Sequence, residues 1–215
     1  MELGNLANLA RFSLVRETMC RPLLLSIETH TLTVKILQYD NKLSGTIPSE
    51  IEKLSELSIL SLGMNELTGS ISTGIWMLPK VTYFEFNMIS QLQGTIPTEI
   101  GLNSALELFI MEETSLSGSL PSELGLLPLR AVAMSDTRLT GEIPSELASV
   151  TSLEFFLFKD TLLTGSLPAS LCGVPTLEFD CPAVCGCDCL CVDEGSNTSS
   201  VGGLSSSGTP GQNRV

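Results

Sequence analysis

The residues of this chain that are most able to do chemistry are six of its seven cysteines, which lie in one short stretch near the C-terminus. They are Cys172, Cys181, Cys185, Cys187, Cys189 and Cys191, whereas Cys20 stands alone. An even cluster of this kind can close disulfides in an oxidising compartment. The alternating C-x-C spacing could instead hold a metal in a thiolate cluster, because alternate residues of an extended strand share one face. Reduced structural thiols are a third possibility, and a disulfide-tied cap is the interpretation that we favour.

Candidates for catalysis are few. The chain contains one histidine, His30, and shows no zinc-protease, serine-hydrolase or phosphate-loop motif. Paired carboxylates could serve a glycosidase, but most acidic residues recur at equivalent positions of a repeat, where solvated surface charge explains them. Examples are Glu50, Glu99, Glu123 and Glu146. We therefore predict a protein that is not an enzyme and that uses no cofactor and no metal.

One motif recurs along the chain: leucine, a polar residue, glycine, any residue, then isoleucine or leucine, followed in most copies by proline. It first reads LSGTIP from Leu43 and last reads LTGSLP from Leu163. Successive glycines of the motif lie 23 to 25 residues apart, at Gly45, Gly69, Gly94, Gly118, Gly141 and Gly165. A fixed period of this length indicates a solenoid, in which each coil buries its apolar face only against its neighbours.

The residues before each glycine follow a second regular pattern, L-x-x-L-x-L-x-x-N-x-L. The copy that fits it best contains Leu57, Leu60, Leu62, Asn65 and Leu67. The L-x-L pair points inward from a short strand, since strand side chains alternate, and the asparagine can satisfy backbone groups where the chain turns. Asparagine is kept at Asn41 and Asn65 and replaced by Ser90, Thr114, Thr137 and Thr161. We expect a weaker hydrogen-bond ladder at the replacements. Apolar pairs farther along each copy, such as Ile75 and Leu78, predict short 3₁₀ or helical turns.

These blocks resemble the plant-type leucine-rich repeat, LxxLxLxxNxLxGxIP, over roughly residues 3–180. The resemblance implies an α/β-type repeat solenoid with a parallel β-sheet on the concave face and 3₁₀, short helical or extended segments on the convex face. Proteins of this type include plant receptor ectodomains, polygalacturonase inhibitors and diatom-type algal proteins, and the Cys-rich ending is similar to that of the diatom-type members. The architecture hosts many partners, so the resemblance says little about the ligand.

Three segments are predicted along the chain. Residues 1–180 form a solenoid of about seven repeats, residues 172–192 form the Cys-rich C-terminal cap, and residues 193–215 form a Gly/Ser/Thr tail that we expect to be disordered. Asn197 begins an N-glycosylation sequon in this tail.

The first repeat is degenerate, because Arg21 occupies the glycine position, while Ile27 falls where Ile51 and Ile75 fall in later copies. The chain opens in the middle of a coil without a polar cap, which solenoid ends need. We therefore expect a truncated N-terminus, with any signal peptide lying upstream of Met1.

Outward positions of the predicted strands form columns on the concave face. The first column is Lys35, Ile59, Tyr83, Leu108, Ala131 and Phe155, and the middle column is Leu37, Ser61, Glu85, Ile110, Ala133 and Leu157. Contiguous apolar patches of this kind mark interaction sites, and acidic residues are expected to border this one. The candidate ligand-binding residues are Tyr39, Ile59, Tyr83, Glu85, Leu108, Ile110, Glu112, Glu113, Asp136, Phe155, Leu157 and Lys159.

The charge balance narrows the class of partner. A net charge of −13, from 24 acidic and 11 basic residues, repels nucleic acids. No apolar run approaches the ~18 residues of a membrane span. We predict a receptor-like or inhibitor-like module that binds a protein or peptide with basic groups, in an extracellular or cell-surface location. The alternative is a cell-wall or glycan-binding structural protein, although only Tyr83 and Phe155 offer rings on this face.

Overall fold

The computed structural model describes residues 26–27 and 34–179. Within these residues the concave face is an eight-stranded sheet, in which seven strands, one from each coil, pair in parallel, and the short strand Ser26–Ile27 pairs antiparallel with the first of them. Its strands, in spatial order, are β1 (Ser26–Ile27), β2 (Val34–Leu37), β4 (Leu57–Ser61), β6 (Tyr83–Glu85), β8 (Leu108–Ile110), β10 (Ala131–Ala133), β12 (Phe155–Phe158) and β14 (Thr176–Phe179). The predicted parallel concave sheet is confirmed.

A second, six-stranded sheet runs along the coils and was not predicted from the sequence. Its strands are β3 (Ser44–Thr46), β5 (Glu66–Ser70), β7 (Ile89–Gly94), β9 (Thr114–Gly118), β11 (Arg138–Glu142) and β13 (Leu162–Thr164). Five of these strands contain a repeat glycine, and Gly165 directly follows β13. Gly69 has a φ of +82°, and a Cβ there would lie 3.1 Å from Thr46 Cγ2 of the preceding coil. Glycine therefore meets two needs at this position, a left-handed backbone and close approach between coils.

Short helical turns form the convex side, as predicted. They are η1 (Ser49–Lys53), α1 (Thr73–Trp76), η2 (Thr98–Leu102), η3 (Ser122–Leu126), η4 (Ser145–Ser149) and η5 (Ala169–Gly173), of which only α1 is α-helical. A proline precedes each 3₁₀ turn, and its carbonyl accepts the first hydrogen bond of the turn, as from Ile51 N to Pro48 O at 3.2 Å. Proline fits this position because its fixed φ suits the turn and it needs no N–H there.

The core lies between the concave sheet and the convex turns. Every coil contributes apolar side chains to it, most of which are leucine, isoleucine or phenylalanine. The single tryptophan, Trp76 of α1, is buried, with its ring edge-on to Phe84 at 6.0 Å and to Phe109 at 5.8 Å between centroids. Edge-on packing suits the quadrupoles of aromatic rings. Trp76 therefore joins three neighbouring coils and offers no ring for a ligand.

The first described strand departs from the repeat. Ile27 pairs with Val34 in an antiparallel ladder between β1 and β2, so the prediction that Ile27 shares the convex position of Ile51 and Ile75 is wrong. The physical reason is that Arg21 replaces the repeat glycine, so the chain lacks the residue that takes a left-handed φ in the later coils. The rest of the predicted degenerate repeat lies outside the described residues.

The asparagine position of the repeat differs between coils. Asn65 Oδ1 accepts from Leu43 N at 3.0 Å, and its Nδ2 donates to the carbonyls of Gln38, Leu62 and Gly63. These bonds join two coils across the turn, as expected for this residue type.

Threonine reproduces only part of that network. Thr114 Oγ1 donates to Met111 O at 2.9 Å, and Thr137 Oγ1 donates to Met134 O at 2.7 Å, in each case three residues back. Each threonine thus makes fewer side-chain hydrogen bonds than Asn65, which agrees with the weaker hydrogen-bond ladder that we expected at these positions. The prediction for Ser90 is wrong, because Ile89 pairs with Thr114 and is buried at this position, while Ser90 is exposed. The inserted residue of that copy follows the turn and moves the register by one.

Candidate ligand-binding face

The register of the concave sheet places the predicted columns side by side. Lys35 lies opposite Ile59, followed by Tyr83, Leu108, Ala131 and Phe155 on successive strands. The middle column is aligned in the same way, from Leu37 to Leu157. Adjacent members of a column are separated by one strand spacing of about 4.8 Å. The sequence-derived columns are therefore neighbours in space.

Strand β10 divides the apolar side chains of these columns into two clusters. Both outward residues of β10 are alanines, and both are buried between their larger neighbours. Leu108 and Ile110 lie on one side, and Phe155 and Leu157 lie on the other. Phe155 is 45% exposed, which makes it the most prominent of these four side chains. We call this surface, in which two alanines lie between larger apolar side chains and Phe155 stands at one edge, the saddle.

A polar group occupies the centre of the first half of this face. Glu85 Oε2 accepts from the buried Ser61 Oγ at 2.5 Å, and the carboxylate also shares a hydrogen bond with the hydroxyl of Tyr83. Glu85 lies in the middle column, as the sequence predicted, with Ser61 and Ile110 opposite it on the neighbouring strands. Its oxygens are engaged by Ser61 and Tyr83 on the same face.

Tyr83 should titrate far above the ordinary value of a tyrosine. Burial, followed by the charge of Glu85 and the hydrogen bond to it, raises the pKa of Tyr83 from 10.0 to about 12. A pKa raised in the folded state contributes stability that is complete below about pH 10 and is lost as the pH rises through 12. The tyrosinate absorbance of wild type and of Tyr83→Phe should therefore be recorded as the pH is raised. The difference between the two proteins is the absorbance of Tyr83, and it should appear only near pH 12. A difference spectrum centred near pH 10 would contradict the burial of this hydroxyl.

An acidic edge follows the ends of strands β8 and β10. Glu112 is half-buried, and burial together with the charges of Glu113 and Asp136 raises its pKa, while a hydrogen bond with Ser135 acts in the opposite sense. Glu113 and Asp136 have φ values of 53° and 56°. Residues other than glycine seldom adopt this left-handed region, and the corresponding residue of every described coil does so. The backbone therefore fixes a row of side chains along this edge, two of them acidic and close to Glu112.

The opposite edge carries an ion-pair group that the sequence analysis missed. Arg130 Nη2 lies 2.7 Å from Glu154 Oε1, and Arg130 Nη1 lies 4.0 Å from Glu107 Oε2. These residues directly precede β10, β12 and β8, so opposite charges at one repeat position were the available signal. The group is exposed, so its contribution to stability is small, but it defines the charge at this end of the saddle.

Two further predicted ligand-binding residues are Tyr39 and Lys159. Tyr39 is exposed beside Gly63, and Lys159 N donates to Ser135 Oγ at 3.2 Å.

Of the clustered cysteines, only Cys172 lies in the described part of the chain, in η5. The other five clustered cysteines and the sequon at Asn197 fall outside it, so the disulfide cap and the glycosylation site stay predictions. Among the described residues, no helix is long and apolar enough to cross a membrane.

The comparisons with known proteins identify the architecture. Neither a protein-family model nor a curated relative matches the sequence. The Arabidopsis receptor kinase HAESA, solved with the peptide hormone IDA and the co-receptor SERK1, is 27% identical with a TM-score of 0.62, over 67% of this chain and 26% of its own. The plant peptide hormone receptor RGFR1, solved with RGF2, is 32% identical with a TM-score of 0.58, over 66% of this chain and 24% of its own.

A third solved structure shares the fold alone. It is a plant ice-binding protein, 19% identical with a TM-score of 0.52, and the match covers 78% of each chain.

The chain is therefore a leucine-rich repeat solenoid with the architecture of plant receptor ectodomains, a fold that is typically a non-catalytic binding module. It spans about a quarter of the length of HAESA and RGFR1.

Proposed function

We propose that this solenoid is a non-catalytic module that binds a protein or peptide on its concave sheet, in a receptor-like or inhibitor-like role outside the cell. The observation that supports it most strongly is the pair of apolar clusters, which lie in register on either side of β10, with Phe155 and Leu157 forming one of them. Apolar side chains grouped on a solvent-facing sheet favour a partner that buries them.

The charges around the saddle favour a basic partner. Glu112, Glu113 and Asp136 lie together at one edge, where burial and then the like charges raise the pKa of Glu112. At the other edge, Arg130 faces two glutamates, so that group also carries a net negative charge. A lysine or arginine beside an apolar residue of the ligand would satisfy both features. HAESA, which was solved with a peptide hormone, and the peptide hormone receptor RGFR1 support a peptide as the ligand.

Selection from a random peptide library displayed on phage tests this proposal, because such a selection requires no candidate partner. Peptides that bind the wild-type chain should carry basic residues next to apolar ones. The double variant Phe155→Asp/Leu157→Asp should weaken binding of the selected peptides by about 100-fold or more, because it introduces two charges into the apolar contact.

Leu162→Asp is the matched control, because Leu162 is equally apolar and 61% exposed but lies on the second sheet. It should leave the affinity unchanged. Selected peptides that bind both variants as tightly as wild type would refute a concave binding site, and so would a library that yields no binders.

A further inference from the structure

The convex side carries an apolar ridge that the fold does not need. Met77, Leu102 and Leu126 occupy the same position of three consecutive coils, at the end of α1, η2 and η3. Their side chains are 38%, 61% and 74% exposed. The three turns pack side by side, so the side chains form a row along the convex side, which we call the ridge.

Packing within the solenoid does not explain these residues. The equivalent positions of the flanking coils are Lys53 and Ser149, both polar and exposed. The coil geometry is the same in each case, since Lys53 and Ser149 also end a 3₁₀ turn. Leucine at this position therefore adds exposed apolar surface without filling the core, and apolar surface of this kind indicates a partner.

A row of glutamates runs beside the ridge. Glu99, Glu123 and Glu146 take the second position of η2, η3 and η4. The hydroxyl that precedes each one lies 3.3 Å from its Oε2. The glutamates thus form an ordered negative strip parallel to the apolar one. This pairing complements a segment that has leucine-like side chains in one row and lysine or arginine in the next.

We propose that this ridge binds a short amphipathic, basic segment of another protein, on a site separate from the concave sheet. A second copy of this chain fits less well, because it would bring two negative strips and two strongly acidic molecules together. The ridge spans only three coils, a size that suits one or two turns of an amphipathic helix.

Two synthetic helical peptides with the same leucine face test this proposal, one with lysine beside that face and the other with glutamate. Fluorescence polarisation should show binding of the lysine peptide alone, with an affinity that falls as salt is added. Leu102→Ser/Leu126→Ser should weaken binding by at least about tenfold, and Glu99→Gln/Glu146→Gln should weaken it at low salt.

Two control variants separate this site from other surfaces. Leu162→Ser removes a leucine of equal exposure from the second sheet, and Phe155→Asp/Leu157→Asp alters the concave face; both should bind the lysine peptide like wild type. Equal binding of the two peptides would overturn the proposal, as would equal weakening by Leu162→Ser or no binding. Self-association of wild type that is lost in Leu102→Ser/Leu126→Ser, detected by sedimentation, would assign the ridge to a second copy instead.

Discussion

Replacing Gly125 with alanine should destabilise the solenoid by about 3 kcal/mol, near the upper end of what overpacking costs. A Cβ at this position would lie 2.5 Å from Glu146 O and 2.6 Å from its carbonyl carbon. Both are backbone atoms of the adjacent turn η4, so no side-chain rotation can relieve the contact. The two coils must move apart instead, and the separation propagates because each coil is stabilised only by its neighbours. Chemical denaturation measures the loss as a lower midpoint of unfolding.

Gly173→Ala provides the matched control for this substitution. Gly173 also lies in a 3₁₀ turn, but a Cβ there would meet no atom of the described residues within 4 Å. Alanine at Gly173 should leave stability unchanged or raise it by about 0.5 kcal/mol, since it restricts the unfolded chain. If the two variants unfold at the same denaturant concentration, close packing between η3 and η4 is not what requires glycine at residue 125.

The repeat period made the architecture predictable from the sequence. Each glycine of the LxGxIP motif marks the same backbone position, so the spacing alone assigned Leu60 and Leu62 to an inward strand and Ile75 and Leu78 to a convex turn. The columns of the concave face followed from the alternation of strand side chains. Periodicity sets which residues become neighbours, and no interatomic distance is needed to assign them.

The properties of the surface depended on features that have no period. Because of the insertion in the third complete copy, the pattern assigned Ser90 to the asparagine position, which Ile89 occupies. Only the paired strands show on which side of the turn the extra residue lies. The saddle arises because two alanines replace larger residues on β10, and its shape depends on the conformations of the neighbouring side chains. The bonds of Glu85 to Ser61 and Tyr83 likewise depend on side-chain rotamers.

Buried polar groups were the other feature that the pattern could not predict. Asn103 occupies a convex position where other coils have Leu54, Leu78 or Leu127, and it is fully buried. Its Oδ1 accepts from Ala105 N at 3.3 Å, and its Nδ2 has no partner among the described residues. A polar residue at an apolar position of a repeat was the available signal, but its hydrogen bonds had to be seen in space.

Replacing Asn65 with alanine should cost about 3 kcal/mol of stability, because one buried side chain satisfies backbone groups of two coils. The change leaves Leu43 N without its acceptor and removes the donor to the carbonyls of Gln38, Leu62 and Gly63. Each buried group left without a partner costs about 1–3 kcal/mol, reduced where the carbonyl has another donor. Thermal and chemical unfolding of the purified variant measure the loss.

Two further variants show whether the network or the residue type matters. Asn65→Thr should recover about a third of the loss, since a hydroxyl at this position can donate to the carbonyl three residues back, as Thr137 does to Met134 O. Asn41→Ala should cost less than about 0.5 kcal/mol, because Asn41 makes an exposed bond to Tyr39 O. Equal losses for Asn41→Ala and Asn65→Ala would show that asparagine acts through the local turn. Unequal losses would show that it acts by joining one coil to the next, which is the kind of contact on which the stability of a thin repeat depends.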